Sequence, residues 1–324
     1  MAGAQILVIH QGAIGDLVLS LPALQSIKNS FPRCAIEMLG YPGILSLIGG
    51  DFAHTIRSVD GAAPSTLYGD CADISVEMRQ YLNGFERIFI FSSQVKSTFI
   101  ENMQRCNPAA VHIRTFPDTA QHVVDYQLTQ LAALGFAAAE PTPQLSVSSD
   151  DRLRGDDFLR RHGFDPASGP LIAVHPGSGG LQKNWPAASF LAVMQGLHAQ
   201  HQASFLIVYG PADEHTAEEM QAGLHSLPHH MLRNLDLPLV AALISRSALF
   251  IGNDSGITHM AAALAIPAVA VFGPTDPFVW GPRGLSVCCV RECDRHGQWR
   301  WPEPEAVLRE ALLLLAVDKE QRLK

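Results

Sequence analysis

The sequence predicts an α/β protein built from two doubly wound parallel-sheet domains, and three observations lead there. Short apolar runs alternate with segments of helical spacing, the alternation breaks once near the middle and restarts, and Gly-rich turns follow several of the strands. At 324 residues the chain is long enough for two domains, each burying its own core.

In the first half, strands are expected at Gln5–Ile9, Ala35–Leu39, Arg87–Phe91 and Ala110–Arg114. Helices are expected at Leu17–Ser30, Val95–Cys106 and His122–Leu134. Pro22 fits inside its helix only as a kink or as a fresh first turn. Pro141-Thr142-Pro143 and the polar run from Ser146 to Asp151 then stop the pattern, which puts the domain joint near residues 150–168.

The second half repeats the scheme. Its strands are Leu171–His175, Ser204–Tyr209, Leu249–Gly252 and Ala268–Phe272; its helices are Ala187–Ala199, Ala217–Leu224, Leu237–Ser245 and Thr258–Leu264. The expected organisation is a first domain over 1–165, a second over 166–304 and a final helix (Glu305–Val317) long enough to return to the first domain.

Composition narrows the function. With 23 basic against 31 acidic residues the net charge is −8, which argues against a nucleic-acid binder with a broad basic face. No apolar run reaches transmembrane length and the N-terminus lacks a signal-peptide pattern, so a cytoplasmic protein is expected. The six cysteines, at 34, 71, 106, 288, 289 and 293, show no disulfide framework. Cys288-Cys289, Cys293 and His296 match no standard zinc spacing, so no metal is expected.

The chemistry concentrates at strand ends. Gly12-Ala13-Ile14-Gly15-Asp16 joins the first strand to the first helix, and its two glycines allow a tight connection. Asp16 there is either a catalytic base or a helix N-cap. In the second half, His175-Pro176-Gly177-Ser178-Gly179-Gly180 leads to Lys183 and Trp185-Pro186, and backbone N–H groups with a lysine suit an anion. An ordinary loop with a solvated lysine is the other reading. Tyr209-Gly210-Pro211-Ala212-Asp213 precedes Glu214, which is placed either to accept hydrogen bonds from a ribose or simply as an acid in a first helical turn. Gly252-Asn253-Asp254-Ser255-Gly256, with His259 one turn on, opens a helix whose first N–H groups suit a diphosphate. Asp254 as N-cap and His259 as a packed helix histidine form the alternative.

Together these segments resemble glycosyltransferase family 9, the heptosyltransferases that use ADP-activated heptose in lipopolysaccharide inner-core synthesis. The resemblance rests on Gly15-Asp16 with Pro22-Ala23, His175-Pro176-Gly177-Ser178, Lys183 with Trp185-Pro186, Gly252 to Gly256 with His259, and Gly273-Pro274-Thr275-Asp276-Pro277. It implies a GT-B architecture, two Rossmann-like domains facing across a cleft, with acceptor on the first domain and nucleotide sugar on the second. It implies an inverting, metal-independent transfer of heptose, with no cofactor beyond the ADP-heptose substrate. Asp16 would be the base. Ser178, Gly179, Lys183, Glu214, Asp254, Ser255, Gly256 and His259 would hold the donor; Gly15 and Lys96 would meet the acceptor.

One segment departs from the family pattern. Where Asp-x-Gln-Gly often precedes a Lys-Ser pair, this chain has Phe91-Ser92-Ser93-Gln94-Val95-Lys96-Ser97, which leaves the acceptor open. The acceptor implied is a lipid-linked or soluble saccharide, with peripheral contact at the inner face of the cytoplasmic membrane. Alternatives are a related transferase with another nucleotide sugar or acceptor, and a catalytically silent nucleotide-sugar-binding module. An NAD-dependent oxidoreductase fits poorly, because the first turn is not Gly-x-Gly-x-x-Gly and its acid would repel a pyrophosphate.

Overall fold

Ile6 to Ile9 are almost fully buried, as expected of a central parallel strand covered on both faces. They lie in β1 (Gln5–His10) of a computed structural model that describes residues 5–164, 168–210, 213–221 and 223–322. Pro211 and Ala212 of the strand-end turn, residues 165–167 of the expected joint and residue 222 of the expected helix Ala217–Leu224 lie outside the described residues. The chain divides into two units, Met1–Pro141 and Thr142–Lys324.

In the first unit β1 is joined by β2 (Ala35–Gly40), β3 (Thr55–Ser58), β4 (Arg87–Ser92) and β5 (Ala110–Arg114). All pairings are parallel and the order is β3-β2-β1-β4-β5, so the strand order reverses between β1 and β4. The helices of eight or more residues are α1 (Ile14–Ser30), α2 (Val76–Asn83), α3 (Thr98–Cys106) and α4 (Val123–Ala133), with α1 packed against α4. α1 runs through Pro22 as one helix: the proline is buried and only removes the donor that would have bonded the Val18 carbonyl. α3 begins three residues later than expected, because Ser97 caps it by accepting from the Ile100 N–H at 3.3 Å.

The second unit begins with α5 (Ser149–Arg161), followed by β6 (Leu171–His175), α6 (Ala187–His201), β7 (Ser204–Tyr209) and α7 (Glu214–Gln221). Next come β8 (His229–Arg233), α8 (Leu237–Ile244), β9 (Leu249–Asn253), α9 (Gly256–Ala263), β10 (Ala268–Val271), β11 (Val287–Val290) and α10 (Pro304–Arg322), with a short antiparallel hairpin of Glu292–Cys293 and Trp299–Arg300 before α10. Its all-parallel sheet has the order β11-β10-β9-β6-β7-β8, with the reversal between β6 and β9.

Two elements sit elsewhere than the sequence suggested. The units part at 141/142, ahead of the expected joint, because α5 packs on α8 and Arg246 holds Asp156 through two 2.7 Å hydrogen bonds. The final helix, expected to return to the first domain, is built into the second: Val307, Ala311 and Leu315 are buried in the core with Phe190 and Phe205. Gly196 of α6 makes room for it, since a Cβ there would lie 2.6 Å from Leu308 Cδ2.

Candidate donor and base sites

β1 ends at His10, and the chain turns into α1 through Gln11, Gly12 and Ala13. The N-cap is Ala13, which has no side-chain acceptor to offer. Asp16, the third residue of the helix, supplies it instead: its Oδ2 accepts from the Ala13 N–H at 3.0 Å. Asp16 therefore does helix-start work, although from inside the helix and not as N-cap. A carboxylate so held is half-buried at the carboxyl end of β1.

Gly12 is required by this approach. A Cβ there would lie 2.6 Å from Asp16 Cβ and 2.9 Å from both Asp16 Oδ2 and His10 Cε1. Beneath the turn, Ser20 Oγ donates to the Asp16 carbonyl at 2.7 Å and lies 3.3 Å from His10 Nε2. Burial pushes the His10 imidazole down to about 4, against a smaller opposing effect of its hydrogen bond to the Asp16 backbone, so the ring is neutral at physiological pH. Gly15 is the second residue of α1. Lys96 is exposed, just before the Ser97 cap that follows β4. β1 and β4 are the strands between which the order reverses, so Asp16 and Lys96 leave the sheet at its topological switch point.

The second unit puts its charged residues at the equivalent position, after β6 and β9. Asn253 binds the two connections together: its Nδ2 donates to the Pro176 carbonyl at 2.7 Å and its Oδ1 accepts from the Trp185 N–H at 3.0 Å. Trp185 is itself buried, with Nε1 donating to the Pro302 carbonyl. The loop between them carries Lys183 at the end of a 3₁₀ turn, with Nζ 2.8 Å from Asp254 Oδ2. Thr275 Oγ1 donates to the same oxygen at 2.7 Å, and His259 Nε2 lies 3.8 Å from Oδ1.

Burial by itself would raise the Asp254 carboxyl, whose side chain is only 7% exposed. His259, Lys183 and Thr275 outweigh that and hold it at about 2. A fixed anion at Asp254 repels phosphate and suits sugar hydroxyls, whereas Lys183 and the first amides of α9 suit a diphosphate. Ser255 is the true N-cap of α9, accepting from the Thr258 N–H at 3.3 Å, and Gly256 opens the helix.

Ser178 shapes its own loop: Oγ is 2.7 Å from both the Gly180 carbonyl and Asn184 Oδ1, and Gly179 beside it is exposed. Asn184 Nδ2 in turn reaches Thr216 Oγ1 of α7 at 3.1 Å. Glu214 is the exposed first residue of α7. The buried acid is its neighbour Asp213, 5% exposed, whose Oδ2 accepts from the Gly210 N–H at 2.7 Å. Gly177 packs onto that carboxylate so closely that a Cβ would lie 1.9 Å from Oδ1.

Sequence reasoning singled out Lys183, Asp254 and His259, and the fold brings them together. It passed over Asp213, Asn253, Thr275 and His10 as site-forming residues. Asn253 and Thr275 stood inside the quoted motifs, but their partners lie far off in the chain. Cys288 and Cys289 lie on edge strand β11, and among the described residues no cluster of three or more His, Cys, Asp or Glu side chains is placed to hold a metal ion.

Residues 99–300 match the family model described as glycosyltransferase family 9 (heptosyltransferase). The chain is 29% identical over 299 residues to lipopolysaccharide heptosyltransferase 1 of Pseudomonas aeruginosa, covering 87% of this chain and 82% of that protein. Its fold is similar to that of a glycosyltransferase family 9 protein from Veillonella parvula, with TM-score 0.80 at 18% identity over 97% of this chain and 98% of that one. It is also similar to the E. coli ADP-heptose lipopolysaccharide heptosyltransferase II, with TM-score 0.75 at 19% identity over 97% and 99% of the two chains. The matched stretch contains the Lys183–Asp254 pair, His259 and Thr275, and the doubly wound fold of both units is the one these structures have. The chain belongs to glycosyltransferase family 9 and is a glycosyltransferase of the GT-B fold class.

Proposed function

We propose that this protein is an inverting heptosyltransferase that moves heptose from an ADP-heptose to a saccharide of the lipopolysaccharide inner core. The observation that carries the reading is the buried anion Asp254, tied to Lys183 and Thr275 and close to His259, at the switch point of the second sheet. Two of the relatives are named as lipopolysaccharide heptosyltransferases, and one of these is named for ADP-heptose.

In the proposed reaction, the first unit binds the acceptor and the second the donor. An acceptor hydroxyl oxygen attacks the anomeric carbon of the heptose from the face opposite the nucleotide. Its proton passes to the Asp16 carboxylate, the bond from the anomeric carbon to the phosphate oxygen breaks, and ADP leaves. Charge growing on the departing diphosphate meets the Lys183 ammonium and the amides that open α9, so no metal is assigned a role. Asp254 and His259 receive heptose hydroxyls, Ser178 and Gly179 line the phosphate loop, and Glu214 takes the ribose. On the first unit, Gly15 and Lys96 meet the acceptor.

Among the described residues no helix is long and apolar enough to cross a membrane. Action on a lipid-linked acceptor from the cytoplasmic face of the inner membrane is part of the proposal. A thermal-shift panel of ADP, UDP and GDP tests the donor, because a ligand of the native state raises apparent stability by mass action. Stabilisation by ADP alone is expected. Stabilisation by UDP or GDP without ADP refutes the heptose donor and leaves a glycosyltransferase.

A further inference from the structure

Three connections leaving the carboxyl edge of the first sheet meet at one side chain. Tyr68 ends a 3₁₀ turn in the segment between β3 and α2. Its hydroxyl donates to Oε1 of Gln11, the residue that follows β1, at 2.8 Å. Its ring lies against Phe99 at the start of α3, centroids 4.8 Å apart and planes 32° from parallel. The turn is pinned from below by Asn102, a buried residue whose Nδ2 donates to the carbonyls of Leu67 at 3.0 Å and Gly69 at 2.9 Å.

Yet Tyr68 remains 51% exposed. A tyrosine serving only the core would be covered, and one serving only solubility would not be fixed at ring, hydroxyl and backbone. A flat aromatic face that is both immobilised and wet binds a partner with little further loss of rotamer freedom. Gln11 lies five residues before Asp16, so the face borders the turn that carries the carboxylate. A nucleotide is a poor occupant here, because the acid at the start of α1 repels phosphate. A pyranose suits it: the ring's C–H face covers the aromatic plane while its hydroxyls stay hydrated or meet the amide and acid nearby.

We propose that Tyr68, clamped between Phe99 and Gln11, is the stacking platform for a pyranose ring of the acceptor saccharide. The assignment rests on the reading of the first unit as the acceptor side. Saturation-transfer NMR on the full chain tests it without requiring turnover, using a deacylated heptose-containing inner-core oligosaccharide as probe and maltotriose as an unrelated pyranose. Wild-type protein should transfer saturation to pyranose C–H protons of the inner-core probe, and Tyr68→Ala should reduce that transfer at least tenfold. Tyr68→Phe, which keeps the ring, should retain most of it. ADP-induced thermal stabilisation, read on the same samples, should be unchanged in each variant and reports that the fold survives; Tyr68→Leu, which keeps the volume without the flat face, replaces Tyr68→Ala if the latter unfolds. Equal transfer in wild type and the folded variant, or none from wild type to either saccharide, overturns the platform. Saccharide contact at Tyr68 with no stabilisation by ADP overturns the donor assignment and leaves the platform standing.

Discussion

Lys183 Nζ and Asp254 Oδ2 form a 2.8 Å ion pair at the strand-order reversal of the second sheet, one partner about a third exposed and the other almost wholly buried. In the proposed reaction the two groups have different tasks: the more exposed lysine meets the diphosphate, while Thr275 and His259 lie against the buried carboxylate.

Lys183→Ala should therefore weaken ADP binding by about 2–3 kcal/mol, the worth of a charge-assisted contact, which is about 30- to 150-fold in Kd. It also leaves Asp254 without its nearest cation, so Lys183→Ala/Asp254→Asn should melt higher than Lys183→Ala alone. Titration calorimetry with ADP and melting curves measure both effects. Unchanged ADP affinity in a folded Lys183→Ala variant removes the lysine from the donor site.

Asp16→Asn separates helix-start work from proton transfer. The Asn side-chain oxygen can still accept from the Ala13 N–H, so the melting temperature should stay near wild type. Turnover should fall by about 10²–10⁴-fold, with donor affinity little changed, if the carboxylate is the base. The rate of heptosyl transfer in a folded variant decides it; near-normal turnover means Asp16 only secures its helix.

Gly177→Ala should destabilise the second unit by about 1–3 kcal/mol, because the added Cβ meets a carboxylate already buried and hydrogen-bonded. Melting temperature should drop by several degrees and the loop leading to Lys183 should bind ADP less tightly. Pairing it with Asp213→Ala relieves the collision and should recover part of the loss. If Gly177→Ala melts like wild type, the contact is not rigid.

Acid should unfold the protein in two windows. His10 is held down to about 4 against an ordinary 6.5, so between those values the unfolded chain takes a proton that the folded one refuses. Stability is intact above pH 6.5 and falls toward pH 4, by about 3 kcal/mol if the full shift is realised. Asp254, held at about 2, loses its contribution lower, as pH falls from about 4 toward 2. Burial also pushes the His175, His112 and His230 imidazoles down, so chemical denaturation across pH 4–7 should show a slope that His10→Gln reduces in part. An identical slope in His10→Gln assigns the effect to other groups.

The central strands were legible in the sequence because they are buried on both faces: Gln5–His10, Ser204–Tyr209 and Leu249–Asn253 are nearly unbroken apolar runs. Besides the short hairpin of Glu292–Cys293 and Trp299–Arg300, the strands not expected from the sequence, Thr55–Ser58, His229–Arg233 and Val287–Val290, are three of the four outer strands of the two parallel sheets. The first two carry polar residues because one side of an edge strand faces water. The third, Val287-Cys288-Cys289-Val290, is only four residues long, too short for a periodic signal.

The site divides along the same line. The order of residues along the chain by itself determined the α/β class, the two-unit plan and the turns that carry Asp16, Lys183 and Asp254, since each depends on local periodicity or on glycine, acid and base at strand ends. Tertiary structure alone decided that Lys183 meets Asp254, that Asn253 ties the Pro176 and Trp185 loops together, that Asp213 and not Glu214 is the buried acid, and that the last helix joins the second unit. The ion pair links residues 71 positions apart and the Asn253–Pro176 bond residues 77 apart, and only the parallel pairing of β6 with β9 brings their loops to one edge. Spacing in the chain carries no record of that pairing, because a crossover connection fixes which strands become neighbours only once both have folded.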